Sequence, residues 1–175
     1  MAVVERLSRY RWVILALAFT AQFANSVAFQ SIAPLAPLFQ PELGLTKTEV
    51  GIFASILFAG QMCLLLIAGT LADRLGVKAM MGIGQLLIGI CMLGMAWVTT
   101  YAQALAVMFA AGVGSSAILP AVTKCIVDWF SARVRGTVMG FKQAAVPVSG
   151  ALTAVLLPSV GLAFGWRFAI ACAGA

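Results

Sequence analysis

Histidine is absent from the 175-residue chain, and aspartate and glutamate together number only five. The usual general acids and bases are therefore missing, and no serine or cysteine has a base spaced to activate it, which excludes most enzyme chemistry. Cys63, Cys91, Cys125 and Cys172 stand far apart inside apolar runs, without metal-ligand spacing, so no metal, no cofactor and no disulfide framework is expected. Charge of either sign is scarce, at 9% of residues. The net charge of +6 raises nucleic acid as a partner, but the bases form no continuous face and carry no RNA-binding motif, so that partner is not expected. Nothing resembles a selectivity filter or a charged ring, which argues against a channel.

What the chain has is hydrocarbon: 63% of residues are hydrophobic and the mean hydropathy is +1.07. The apolar residues come in blocks of the length that crosses a bilayer, separated by short segments holding most of the charge. Helices are expected near 12–38, 48–72, 79–98, 102–126 and 137–160, with a sixth opening at 166–175. The fold class is therefore all-α, a polytopic membrane helical bundle. Arg6, Arg9 and Arg11 precede an apolar run too long for the ~7–15 residues of a signal-peptide core, so that run reads as a retained first span. About ten residues of the sixth helix reach only half of a ~30 Å hydrocarbon core, so the chain reads as truncated in helix six.

The connections alternate in charge. Arg6, Arg9, Arg11, Arg74, Lys78, Arg133 and Arg135 fall on one side, and only Lys47 and Arg167 on the other. By the positive-inside rule the N-terminus is cytoplasmic, with the bacterial inner (plasma) membrane as the expected location.

The stretch GTLADRLGVK, from Gly69 to Lys78, holds more than a topology signal requires. Gly69 permits close helix approach, Gly76 supplies a turn without a Cβ, and Asp73 sits at a helix C-terminal end, where the dipole disfavours an acid. Asp73 therefore wants a positive partner. With Gly69, Asp73, Arg74, Gly76 and Lys78 at these spacings, the stretch resembles the G-x-x-x-D-R-x-G-x-K/R signature between helices two and three of the major facilitator superfamily (MFS) of transporters. DWFSARVRGTVMG, Asp128 to Gly140, resembles the connection between helices four and five of that superfamily, and GWR, Gly165 to Arg167, the start of its helix six. The resemblance implies the N-terminal six-helix half of a transporter, with residues 1–175 as one incomplete domain. It also implies that Asp73 faces a helix N-terminus in the other half and locks the cytoplasmic side. Val77 stands where the family often has a base, which weakens that lock. Asp128 is expected to be neutralised by Lys124, Arg133, Arg135 or Lys78, and the resemblance favours Lys78.

Small residues four apart mark packing seams, since lipid gives no hydrophobic drive between helices. Gly51, Ser55, Ala59 and Cys63 form one such stripe, and Gly136, Gly140 and Ala144 another. Helix three, with Gly82, Gly84, Gly89 and Gly94, is expected to face lipid and touch no solute. Gln22, Asn25, Ser26 and Gln30 form a polar stripe on helix one that should face water or solute, with Pro34 and Pro37 bending its outer end. Ser116, Thr123 and Lys124 offer a polar side on helix four, and Lys142 and Ser149 another on helix five. Each uncharged group could instead hydrogen-bond between helices. A lysine at the depth of Lys142 costs ~2.5–3.5 kcal/mol on insertion scales, so it either serves function or snorkels to the cytoplasmic surface.

The reading that joins these features is a secondary transporter working by alternating access on a small solute, with the bilayer and an absent second half as its partners. The helix-five stretch FKQAAVPVSG resembles that of members handling small organic or inorganic anions, the cyanate-permease-like group among them. The alternatives are a drug/proton antiporter of the same superfamily and a truncated, non-transporting membrane partner. No acid lies deep in a span, so a proton-carrying carboxylate would belong to the absent half.

Overall fold

The computed structural model describes residues 2–174, with side chains from residue 10 onward except at 66. Two of the counted bases, Arg6 and Arg9, lie outside the described side chains. Among the described residues eight helices follow one another: α1 Ala2–Gln30, α2 Ile32–Glu42, α3 Lys47–Leu75, α4 Val77–Met95, α5 Tyr101–Trp129, α6 Ala132–Gln143, α7 Ala145–Phe164 and α8 Trp166–Gly174. They supply, among the described residues, five spans long and apolar enough to cross a membrane, α1 with α2 forming the first and α6 with α7 the fifth. The all-α membrane bundle expected from composition is what forms.

Helix starts follow local chemistry. Thr46 and Thr100 each accept a bond from the backbone three residues on, and Glu49 and Gln103 reach back to the cap, giving capping boxes at α3 and α5. At the other end of α3, Gly76 takes φ +82°, which stops the helix and starts α4 without a loop.

Two spans are broken, and in the same way. The first stops at Gln30 and resumes after Ser31; the fifth stops at Gln143 and resumes after Ala144. Pro34 and Pro147 follow three residues after each break, so the proline ring removes the bond to the carbonyl of Gln30 or Gln143, four residues earlier. The expected single helix over 12–38 is corrected to α1 and α2, and that over 137–160 to α6 and α7, with each joint one turn before its proline.

In lateral order the helices run α3, α5, α1, α7, with α4 behind α5 and α8 against α4 and α7. Glycine pairs set the closest approaches. A Cβ at Gly60 would strike the carbonyl of Phe109, and one at Gly112 the carbonyl of Leu57, so α3 and α5 meet backbone to backbone. Gly84 and Gly114 do the same for α4 and α5: a Cβ on either would lie 2.7 or 3.0 Å from the other's carbonyl oxygen.

These pairs correct the expected seams. Gly51, Ser55, Ala59 and Cys63 lie on an exposed face of α3, as do Gly136, Gly140 and Ala144 along α6 and its joint. A four-residue repeat fixes a face but not what covers it, and Phe53, Leu57 and Gly60, on the next face, took the contact with the core. On α4, Ile83, Leu86, Ile90 and Leu93 are exposed, as a face turned to lipid requires.

Candidate gate and solute cleft

At the C-terminal end of α3, Asp73 forms an ion pair with Lys124 of α5. Lys124, which the sequence offered both to the solute cavity and to Asp128, one turn further along α5, forms its ion pair instead with the acid of the Gly69–Lys78 stretch. The pair is half-exposed, so solvent screens it and its contribution to stability is modest. Beside it, Gly69, Ala72, Pro120 and Thr123 line a groove between α3 and α5. A Cβ at Gly69 would meet nothing within 4 Å, so Gly69 leaves open space and no contact within this chain needs it.

Asp128 pairs with no base among the described residues. Arg135 is occupied elsewhere: its Nε donates to the carbonyl of Phe130 at 2.9 Å and its terminal nitrogen to that of Val127 at 2.8 Å. It thereby caps the carbonyl end of α5, whose last turn has no helical partners of its own. Arg74, Lys78 and Arg133 form no ion pair among the described residues.

α3 and α7 flank α5 and α1, and residues of α1, α2, α3 and α7 line a cleft between them. Gln30 crosses from α1 to α7: its amide nitrogen donates to the carbonyl of Val146 and to Ser149 Oγ, both at 2.8 Å, and Ser149 donates onward to Val146. Gly150 makes room, because a Cβ there would collide with Gln30 Oε1. The two proline joints are thus stitched together. On the other flank, Gln61 of α3 donates to Ser115 of α5 at 3.3 Å. Ser116 turns back to its own helix, donating to Val113 at 2.6 Å, so Ser115 is the serine that bridges helices.

The expected solute face of α1 is mostly buried. Gln22, Asn25 and Ser26 are 5–6% exposed, because α1 sits between α5 and α7 rather than at the edge of the cleft. Gln22 Oε1 and Asn25 Oδ1 are buried without a hydrogen-bond partner, a condition that costs free energy until a donor arrives. Lys142 is 4% exposed, so it does not snorkel to the surface. Phe19 meets Phe141 with ring centroids 5.5 Å apart, and Gln30 meets Ser149. These two contacts place Lys142 on the stretch of the fifth span that packs along α1 between Phe19 and Gln30.

A cluster that the sequence did not reveal fastens the opposite end of the bundle. Glu42, at the end of α2, pairs with Arg167 at 2.9 Å and accepts a bond from Trp166 Nε1. The Arg167 guanidinium also lies 4.9 Å from the Trp166 ring centre. Among the described residues, no group of side chains could hold a metal ion.

A sequence profile of the Major Facilitator Superfamily matches residues 18–175. The chain belongs to this superfamily. Its relatives include a probable L-galactonate transporter of Escherichia coli, 30% identical over 93% of this chain and 36% of the relative. A 4-hydroxybenzoate transporter of Acinetobacter baylyi is 26% identical over 92% of the chain and 35% of the relative. A hexuronate transporter of Bacillus subtilis is 21% identical, over 91% and 38%. The chain thus spans little more than a third of the length of these superfamily members. It is a multi-pass membrane protein whose relatives are named as carriers of small acids.

Proposed function

We propose that the protein, with a second half of similar fold, is a secondary transporter of a small organic anion working by alternating access. In this reading residues 1–175 supply the N-terminal domain, and the solute site lies near the midplane between the halves. The observation that carries the proposal is Lys142. A lysine buried at this depth is costly, and no carboxylate among the described residues pairs with it. An anionic solute would supply the missing countercharge. The names of the relatives, which cover galactonate, hexuronate and 4-hydroxybenzoate, lean the same way.

The Asp73–Lys124 pair belongs to the gate in this proposal, with Gly69, Arg74, Gly76 and Lys78 forming the turn around it. Asp128, Arg133 and Arg135 sit on the same cytoplasmic side, as does the N-terminus. The open space at Gly69 and the exposed small-residue faces of α3 and α6 suit approach by helices of the second half. The test is uptake by the complete protein in proteoliposomes, with labelled organic acids offered one at a time. Saturable uptake of an acid supports the reading, and saturable uptake confined to neutral or cationic solutes refutes it.

A further inference from the structure

At the outer end of the cleft, α1, α2, α3 and α7 surround a pocket walled by Phe29, Pro34, Leu57, Phe58, Gly150 and Thr153. Phe29 and Phe58 meet edge to face, with centroids 5.6 Å apart and planes at 65°. Phe58 is 53% exposed, so its ring has surface to offer a further aromatic group.

The polar side chains around this pocket have little to give. Both amide hydrogens of Gln30 go to Val146 and Ser149, and Thr153 donates to the carbonyl of Gly150 at 3.0 Å. No lining side chain has a free hydrogen-bond donor, although Gln30 Oε1 can still accept. A polyhydroxylated acid seated here would strip water from several hydroxyls and find one or two acceptors in return, which is unfavourable. A flat ring suits such walls, gaining apolar burial and an edge-to-face neighbour.

Lys142, Ser149 and Thr153 share one face of the α6–α7 span. At ~1.5 Å per residue Lys142 lies about 12 Å below Gly150, a gap that a ring-bearing acid and the four-carbon lysine stem can close together. We infer that the substrate is an aromatic carboxylate, its ring held by Phe29 and Phe58 and its anionic group directed toward Lys142. This inference rests on the anion-transport reading and names the class of anion.

The test uses the complete protein in proteoliposomes, with labelled benzoate as the probe and benzoate and galactonate as unlabelled competitors. Saturable benzoate uptake is expected, blocked by benzoate at much lower concentration than by galactonate. Phe58→Ala should raise the half-saturating benzoate concentration about tenfold, and Phe58→Tyr should restore it. Thermal unfolding of the Phe58→Ala variant of the complete protein checks that a loss of affinity is not a loss of fold. If galactonate is carried and benzoate is not, or if Phe58→Ala leaves benzoate uptake unchanged, the aromatic assignment falls while the anion reading stands. If neither acid is carried and a neutral or cationic solute is, both fall.

Discussion

Lys124 on α5 closes an ion pair on Asp73 of α3, and so joins positions 51 residues apart near the C-terminal ends of adjacent helices. The acid of the Gly69–Lys78 stretch already has a positive partner within its own half. In the locked state proposed for the complete protein, Asp73 would share its charge between this lysine and a helix N-terminus.

Exchanging the charges separates those two roles. In the complete protein, Asp73→Asn and Lys124→Gln should each lower uptake several-fold while leaving membrane insertion intact. The double variant Asp73→Lys/Lys124→Asp rebuilds the pair but sets a lysine against a helix N-terminus, so uptake should stay impaired while thermal unfolding returns to the parent value. Full recovery of uptake would show that the pair alone carries the role.

The glycine seams predict a contrast in stability. Gly112→Ala drives a methyl group into the carbonyl of Leu57 and should cost about 1–3 kcal/mol, read as a lower unfolding temperature in detergent. Gly140→Ala meets nothing within 4 Å in this chain and should leave the isolated 1–175 segment unchanged. Equal effects would mean that α3 and α5 do not approach as described.

For Lys142, two substitutions in the complete protein test the countercharge. Lys142→Gln should abolish anion uptake with expression unchanged. Lys142→Arg keeps the charge but replaces a compact donor with a wide planar fork, and should weaken apparent affinity about tenfold, equivalent to ~1.4 kcal/mol. Parental uptake by both variants would leave Lys142 a structural residue only.

Orientation is tested by reporter fusions at Thr100 and Ala132. An active cytoplasmic reporter is expected at Ala132 and an inactive one at Thr100, following the distribution of bases around the spans. Matching signals at the two sites would refute the arrangement.

Features governed by near neighbours were readable in the sequence. The Thr46–Glu49 and Thr100–Gln103 boxes start helices, Gly76 stops one, and run length sets the spans. Features that depend on which helix lies alongside were not. The stripe from Gly51 to Cys63 and the face carrying Gly60 both read as smooth, and only the arrangement of α3 against α5 chooses between them. The Gln22–Asn25–Ser26 stripe was visible, but its burial depends on α1 lying between two neighbours. Lys124 was offered as one of four partners for Asp128 and never for Asp73, because a sequence displays partners one turn away and hides those on another helix. Glu42 gave no signal at all, since its partners Trp166 and Arg167 come more than a hundred residues later.

The two proline joints lie side by side and are tied through Gln30, Val146 and Ser149. An unbroken rod can only tilt as a whole, whereas a jointed one can swing its outer segment while the inner segment stays seated. Here two jointed rods share a pin. A swing of α2 has to carry the outer part of the fifth span with it, or else break the bonds made by Gln30. Those bonds border the pocket formed by Phe29 and Phe58, so whatever occupies that pocket rests against the hinge and bears on the movement of both outer segments together.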